Sequence, residues 1–333
     1  MFTIWVTTAC NMKCRYCYEG IEKENKYMTS ETADQVIKWI IKTADSNKRF
    51  IYPVRFHGGE PLLNFPIIKY IIEELAQKSS LKFSYHITTN GYYLNEEIIE
   101  YLSRHMDVIT VSIDGNKRTN DLNRLSIQGE STFNTVLHNA KLLKEKFNNL
   151  EIRMTVDTES SKYLSENILF LLDEGFTLIN AETDFTDKGW TVEAIDILES
   201  ECRMIKQMRL HDDRLENVGL PIGYSVSNMA ECTGGIDGFS INPEGNIYPC
   251  IMTVGDLEMC LGNVVSGIRE DWQCYLREIS ALEMPVCEGC GGYTSCSNVR
   301  CRLVNQKVMG DYLSPIPLLC ELHRRNLEFP NIV

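Results

Sequence analysis

No stretch of this 333-residue chain approaches the ~18 consecutive apolar residues that a membrane helix needs. Basic charge is also scarce. Its 33 Lys and Arg stand against 46 Asp and Glu, a formal charge of −13. That balance argues against a nucleic-acid backbone as partner, because phosphate binding rests on Lys and Arg. The first residues carry no basic segment and no cleavage signal, so no secretory export is expected. There is no internal repeat, low-complexity tract or extended linker. Hydrophobic content of 44% and charged content of 24% are ordinary for a globular protein. The expectation is a cytoplasmic protein with neither membrane nor nucleic acid as partner. Cysteine, by contrast, is abundant, at 13 residues. In a chain without an export signal this points to metal or redox chemistry rather than a disulfide framework. Oxygen is expected to damage such a protein.

The first two-thirds alternates short β-branched runs with helical stretches, the pattern of βα units around a parallel sheet. Strands are expected at Phe2–Val6, Ile51–Phe56, Lys82–Thr88, Val108–Ile113, Glu151–Val156 and Thr177–Glu182. Helices are expected at Ser30–Lys42, Pro66–Lys78, Glu96–Arg104, Thr132–Phe147 and Ser165–Asp173, with a long sixth over Val192–Arg214. Thr29 or Ser30 followed by Glu31 is a helix start. From about Asn228 the composition changes: nine cysteines, many glycines and little periodicity. Such a segment cannot bury much apolar core by itself, so metal ligation is expected to order it. The domain expectation is therefore 1–214 and 228–325.

Cys10, Cys14 and Cys17 form a CxxxCxxC loop directly after the first strand. Three thiolates can hold three irons of a cubane cluster and leave the fourth iron open to a non-protein ligand. On these residues alone a zinc site or unrelated buried cysteines remain alternatives. The spacing resembles the radical S-adenosylmethionine (SAM) superfamily, in which SAM chelates the open iron through its amino and carboxylate groups. Further motifs carry the resemblance. His57-Gly58-Gly59-Glu60-Pro61 follows the second strand, where glycines let backbone approach a ligand and a carboxylate can meet an amino group. Thr88-Thr89-Asn90-Gly91 ends the third strand. Ser112-Ile113-Asp114-Gly115 ends the fourth and leads to Asn120 and Arg124 in a pattern similar to DGxxxxHDxxR, with Asn120 where His is common. The resemblance implies an incomplete (β/α)6 barrel of TIM-like type. It also implies a SAM site of Tyr16, Gly58, Gly59, Glu60, Asn90, Ser112, Asp114 and Arg124. In it Glu60 would meet the amino group, Ser112 the ribose, Arg124 the carboxylate and the neighbourhood of Tyr16 the adenine. His57 itself reads as a packing residue at a strand end.

The tail carries Cys232, then Gly245 to Cys250 as GxxxxC, then Cys287-x2-Cys290-x5-Cys296-x4-Cys301 and finally Cys320. The CxxC pair alone would also suit a zinc ribbon. The ordered set of seven resembles the SPASM domain, departing from it by one extra residue between Cys296 and Cys301. The resemblance implies two auxiliary [4Fe–4S] clusters. Cys287, Cys290, Cys296 and Cys320 would hold one; Cys232, Cys250 and Cys301 the other, its fourth position open or filled by Cys260. Cys202 and Cys274 have no place in this scheme and are expected to be buried thiols.

By resemblance, the chemistry is hydrogen abstraction from a peptide by a 5′-deoxyadenosyl radical made from SAM. Two extra clusters suggest net two-electron oxidation. Sulfatase maturases carry an acidic residue after the Cys of GxxxxC; here it is Ile251, which counts against formylglycine formation. The expected function is thus maturation of a ribosomally made precursor peptide by a thioether or carbon–carbon crosslink, fed by a reductant such as flavodoxin or ferredoxin. Because the sequence opens directly on the first strand, leader recognition is expected from a separate protein, from the barrel itself, or not at all. Alternatives are a peptide epimerase using Cys202, Cys260 or Cys274 as hydrogen donor, sulfatase-maturase-like oxidation, and a small-molecule radical SAM enzyme.

Overall fold

In the computed structural model the described residues are 1–20, 24–47, 49–223 and 232–329. The tail expected to begin at Asn228 therefore has its first residues outside the described ones. Strands β1 (Phe2–Thr7), β2 (Tyr52–Gly58), β3 (Phe83–Thr89), β4 (Val108–Ser112), β5 (Leu150–Val156), β6 (Ile179–Thr183) and β7 (Val218–Gly219) pair in sequence order and in parallel. Helices α1 (Ser30–Asn47), α2 (Phe65–Lys78), α3 (Glu96–His105), α4 (Lys117–Asn123), α5 (Phe133–Lys146), α6 (Leu164–Asp173) and α7 (Val192–Met208) cross between them. In β2 and β5 burial alternates strictly. Val54, Phe56, Ile152 and Met154 turn to the core, while Arg55, His57, Arg153 and Thr155 turn to the other face of the sheet. Thr29 caps α1, its hydroxyl accepting from Thr32 N at 3.1 Å.

Three elements differ from the sequence reading. The long helix expected to reach Arg214 ends at Met208. Arg209 then folds back, its Nε donating to Leu215 O at 2.9 Å and an Nη to Val218 O, which ties the turn to β7. Helix α4 was not anticipated. The tail holds regular structure: β8 (Phe239–Ile241), β9 (Asn246–Tyr248), β10 (Gly262–Asn263), β11 (Gly267–Ile268), α8 (Glu270–Ala281), α9 (Ser297–Arg300), α10 (Arg302–Met309) and α11 (Pro317–Glu328).

The tail does not stand apart. β8 pairs in parallel with β1, Phe2 opposite Phe239 and Ile4 opposite Ile241, so one eleven-stranded sheet runs from β11 to β7. Phe239 packs on Phe2 and Trp39 inside the main core. The apolar cover that the tail cannot make for itself is supplied by the barrel.

Candidate functional site

The loop after β1 carries Cys10, Cys14 and Cys17, all half-buried. Backbone bonds hold it to the chain after α4: Lys13 N donates to Leu125 O at 2.9 Å and Arg15 N to Asn123 O at 3.1 Å. The Arg15 guanidinium grips Asp157 at 2.8 Å and Glu159 at 3.0 Å. Cys17 N donates to Cys14 O at 3.1 Å, closing the turn between the last two thiols, and Met12 N points at Cys10 Sγ from 3.4 Å.

Gly58 and Gly59 make room for this loop. A Cβ on Gly58 would lie 2.1 Å from Thr7 O, and one on Gly59 would lie 2.2 Å from Ala9 O. Gly58 also has φ +140°, a conformation that a side chain would strain. Gly59 N donates to Thr7 O at 3.0 Å and Glu60 N to Ala9 O at 2.8 Å, so the glycine turn is laced to the residues leading into Cys10. His57 stacks on Trp5 at 5.5 Å, the packing role expected of it.

Glu60 is fully buried. Its carboxylate accepts from Leu62 N at 3.1 Å, Thr89 Oγ1 at 2.7 Å and Asn90 N at 2.7 Å. Burial pushes its carboxyl up to about 7 from 4.5, although these three donors pull it down. A cation placed against Glu60 would relieve that cost. Asn90 connects the end of β3 to the thiol loop, its Nδ2 donating to Asn11 Oδ1 at 2.8 Å and lying 3.7 Å from Cys10 Sγ.

Asp114, Arg124 and Tyr16 form a buried group beside Cys14. Asp114 Oδ2 accepts from Tyr16 OH at 2.6 Å and pairs with Arg124 Nε at 3.0 Å, while Oδ1 accepts from Thr155 N at 2.9 Å. The guanidinium lies 5.2 Å over the Tyr16 ring. Arg124 is only 6% exposed. Burial disfavours its charge, but Asp114, Tyr16 and Cys14 outweigh burial and raise its pKa. Burial raises the Tyr16 phenol well above its ordinary value, Arg124 opposing and Asp114 and Cys14 adding. Asp114 thus occupies the Nε edge, and the two Nη groups make no hydrogen bond to the described residues. Helix α4, capped by Asn116 on Thr119 N at 3.1 Å, delivers Asn120 and Arg124 to this group. Asn120, in the common His position, accepts from Asp114 N at 3.3 Å. Ser112 ends β4, half-buried, in register with Arg153 of β5.

The tail thiols fall into two sets by mutual influence. Burial raises the Cys250 thiol and Cys232 adds to it; burial pushes Cys301 up to about 11, with Cys232, Cys250 and Cys296 adding. Cys287 is raised by burial, then Cys296 and Cys290. Cys320 is raised by burial, then Cys296, Cys287 and Cys290. Cys301 and Cys296 join the two sets. Cys260 turns its thiol to Gly262 O at 3.4 Å. Among the described residues, no three Cys, His, Asp or Glu side chains close on a single-ion position. Cys202 is fully buried, its thiol pushed up to about 12. Cys274 is exposed on α8, contrary to expectation, because Trp272, Leu276 and Ile279 take the inner face of that helix.

The two regions approach each other at Tyr18, which sequence reasoning passed over. β9 runs against β8 and Tyr248 stands opposite Ser240, itself opposite Thr3, so Cys250 follows toward the amino end of β1. Cys10 follows the carboxyl end. Tyr18 is 37% exposed, but its phenol is surrounded by protein, which raises it well above its ordinary value, Glu19, Cys17 and Cys250 adding and Arg153 opposing. Its only signal in the sequence was its place beside Cys17.

Residues 4–170 match the Radical SAM superfamily. The cysteine-type anaerobic sulfatase-maturating enzyme of Clostridium perfringens is 24% identical over 286 residues, 78% of this chain and 75% of that protein. The solved structure of native anSMEcpe with bound AdoMet has a TM-score of 0.80 at 18% identity, covering 99% of this chain and 96% of that one. Streptococcus suis SuiB bound to precursor peptide SuiA gives 0.68 at 17% identity, covering 96% and 75%. At these identities the structural likeness speaks for the fold.

Proposed function

The chain belongs to the radical SAM superfamily, among enzymes of the SPASM-type maturase kind, and on that premise we propose that it oxidatively crosslinks a ribosomally made peptide. Cys10, Cys14 and Cys17 hold the SAM-binding [4Fe–4S] cluster; the donor set and its half-buried loop suit a cluster with one open iron. Glu60 receives the amino group of SAM, a cation that offsets the cost of its burial. The Nη edge of Arg124 receives the SAM carboxylate, an arrangement that suits a guanidinium fork already fixed at Nε by Asp114. Tyr16, Asn90 and Ser112 line the rest. Gly58 and Gly59 serve by seating the thiol loop.

When bound, SAM and the reduced cluster supply a carbon-centred radical that takes one hydrogen from the substrate. The chain's part is to place that carbon and to take up what is left over. Closing a bond from the substrate radical releases one electron and one proton. Cys232, Cys250 and Cys301, or Cys287, Cys290, Cys296 and Cys320, would hold an auxiliary cluster able to accept that electron, and the proton would leave to solvent. The mutual influence among these thiols supports the two sets. Cys260, turned to Gly262, is left out of the first. Two domains, 1–214 and 228–325, then correspond to the SAM chemistry and the electron sink. A flavodoxin or ferredoxin supplies the first electron.

The observation that carries this reading is the meeting, beside the Cys10–Cys17 loop, of the buried Glu60 carboxylate with the Asp114–Arg124 pair and the Tyr16 hydroxyl; Tyr18, next to Cys17, feels Cys250 as well. A peptide carbon between SAM and the first auxiliary thiols would lie beside it. Ile251 after Cys250 argues against formylglycine formation, since no carboxylate stands there as base. The test is anaerobic co-expression with a candidate precursor peptide encoded nearby, read by intact mass. Loss of two hydrogens with thiols newly resistant to alkylation is the result expected for a thioether; the same loss with reactive thiols indicates a carbon–carbon link. Unchanged mass with deuterium uptake from solvent would replace crosslinking by epimerisation.

A further inference from the structure

Cys301 is flanked by two arginines, half-buried Arg300 and buried Arg302. Arg302 is 3% exposed. Its Nη2 donates to Leu282 O at 2.7 Å, while Nε and Nη1 are buried with no hydrogen-bond partner among the described residues. The Nε of Arg300 is buried in the same condition. Neither guanidinium has an Asp or Glu oxygen within ion-pair distance among the described residues. Arg124 and Arg325, comparably buried, both have one. A charge removed from water without a counter-ion is a costly arrangement that chains avoid.

Cys232 shares a small cavity with both arginines. That cavity, about 10 Å³ and room for roughly one water, is otherwise lined by Gly234, Ser280 and the apolar Leu276, Ile279 and Leu303. Arg302 therefore shares a cavity with Cys232 and adjoins Cys301 in the chain, both thiols of one tail set. An oxidised [4Fe–4S] core carries a net charge of −1 with three thiolates or −2 with four, and reduction adds one more negative charge. A fixed cation stabilises the reduced state more than the oxidised one, and cluster potentials respond to such charge.

Resting on the auxiliary clusters proposed above, we infer that Arg302, with Arg300 beside it, is the resident counter-cation of the cluster assigned to Cys232, Cys250 and Cys301 and raises its reduction potential. The step it biases is the one-electron reduction of a cluster by the substrate radical as the new bond closes. Among tail residues this gives Arg302 a tuning role without ligation.

The test uses the full chain with Cys10, Cys14 and Cys17 changed to Ala, so that only tail clusters remain, reconstituted anaerobically and titrated by EPR. Arg302→Gln is expected to lower the reduction equilibrium constant at least tenfold, 59 mV for a one-electron couple. Arg302→Lys is expected to recover most of that change. A full iron complement with an unchanged midpoint in Arg302→Gln overturns the inference and leaves the clusters standing. If Arg302→Gln loses iron, Arg302→Lys decides: full iron near the parental potential upholds the cation, and loss there too makes the role one of packing and overturns it. A tail that binds no iron with both arginines present overturns this inference together with the cluster assignment.

Discussion

The barrel-end thiol loop and the tail thiols are ordered by different means. Around Cys10, Cys14 and Cys17 the backbone does the ordering: the loop is bonded to the chain after α4, the glycine turn is laced to Thr7 and Ala9, and Arg15 ties it to Asp157. In the tail, Cys287 closes a single 3-10 turn, Cys296 and Cys301 bracket a four-residue helix, and Cys320 sits exposed on α11. The separate core there consists of Met284, Cys296 and Val299 with a few partly buried neighbours. That is far too little to stabilise a fold alone. The contrast teaches that a site can be prepared by its scaffold or can help to make it. In the first case a missing ligand costs function; in the second it costs structure.

The sharpest way to break this comparison is to remove each ligand set in turn. Changing Cys10, Cys14 and Cys17 to Ala should reduce 5′-deoxyadenosine formation by at least about a thousandfold, while limited proteolysis and the tail's iron stay as in the parent. Changing Cys296 and Cys320 to Ala should expose the tail to protease and release iron there. Equal protease sensitivity in both variants would erase the distinction. A smaller effect is expected at Arg124, where scaffold and ligand meet. Arg124→Ala should weaken SAM binding by roughly tenfold or more, given about 1.5–3 kcal/mol for hydrogen bonds to a charged group. Calorimetric affinity equal to the parent's would reject its assigned contact.

The smallest effect concerns pH. Glu60 holds its proton up to about 7 when folded, against 4.5 as its ordinary value. Between those values the folded chain carries a proton that the unfolded chain has lost, so Glu60 makes stability fall as pH rises through that window. The ionised form is the one that pairs with the SAM amino group. Affinity should therefore rise by up to about tenfold from pH 6 to pH 8 and be flat in Glu60→Gln; a slope that survives in that variant assigns the titration elsewhere.

Apolar periodicity made the barrel legible. Val54 and Phe56, or Ile152 and Met154, alternate so strictly with polar neighbours that strand, face and order follow. Helix α4 escaped because its buried residues are Thr119, Asn120 and Asn123: it packs through hydrogen bonds, and no apolar stripe marks it. Helix α8 did carry a stripe, Trp272, Leu276 and Ile279, but among so many cysteines it was read as irregular, and Cys274 was misplaced with it. The thiol loop and its carboxylate were legible because three cysteines and GGEP are rare as chance patterns. The Nε edge of Arg124, the place of Tyr18 and the orphaned Arg302 are matters of tertiary geometry, and no local pattern encodes them.

One consequence of the β1–β8 ladder concerns time rather than stability. β1 leads at one end to Cys10, and its bonded neighbours lead at the other to Cys250. Six residues of extended chain span roughly 20 Å. Electron tunnelling slows exponentially with separation, so a hinge between two cofactor-bearing parts would make each turnover's rate fluctuate. A shared central strand, buried along its whole length, removes that hinge and works as a ruler. With clusters at the proposed sites, the distance an electron must cross would be set by the length of a single strand.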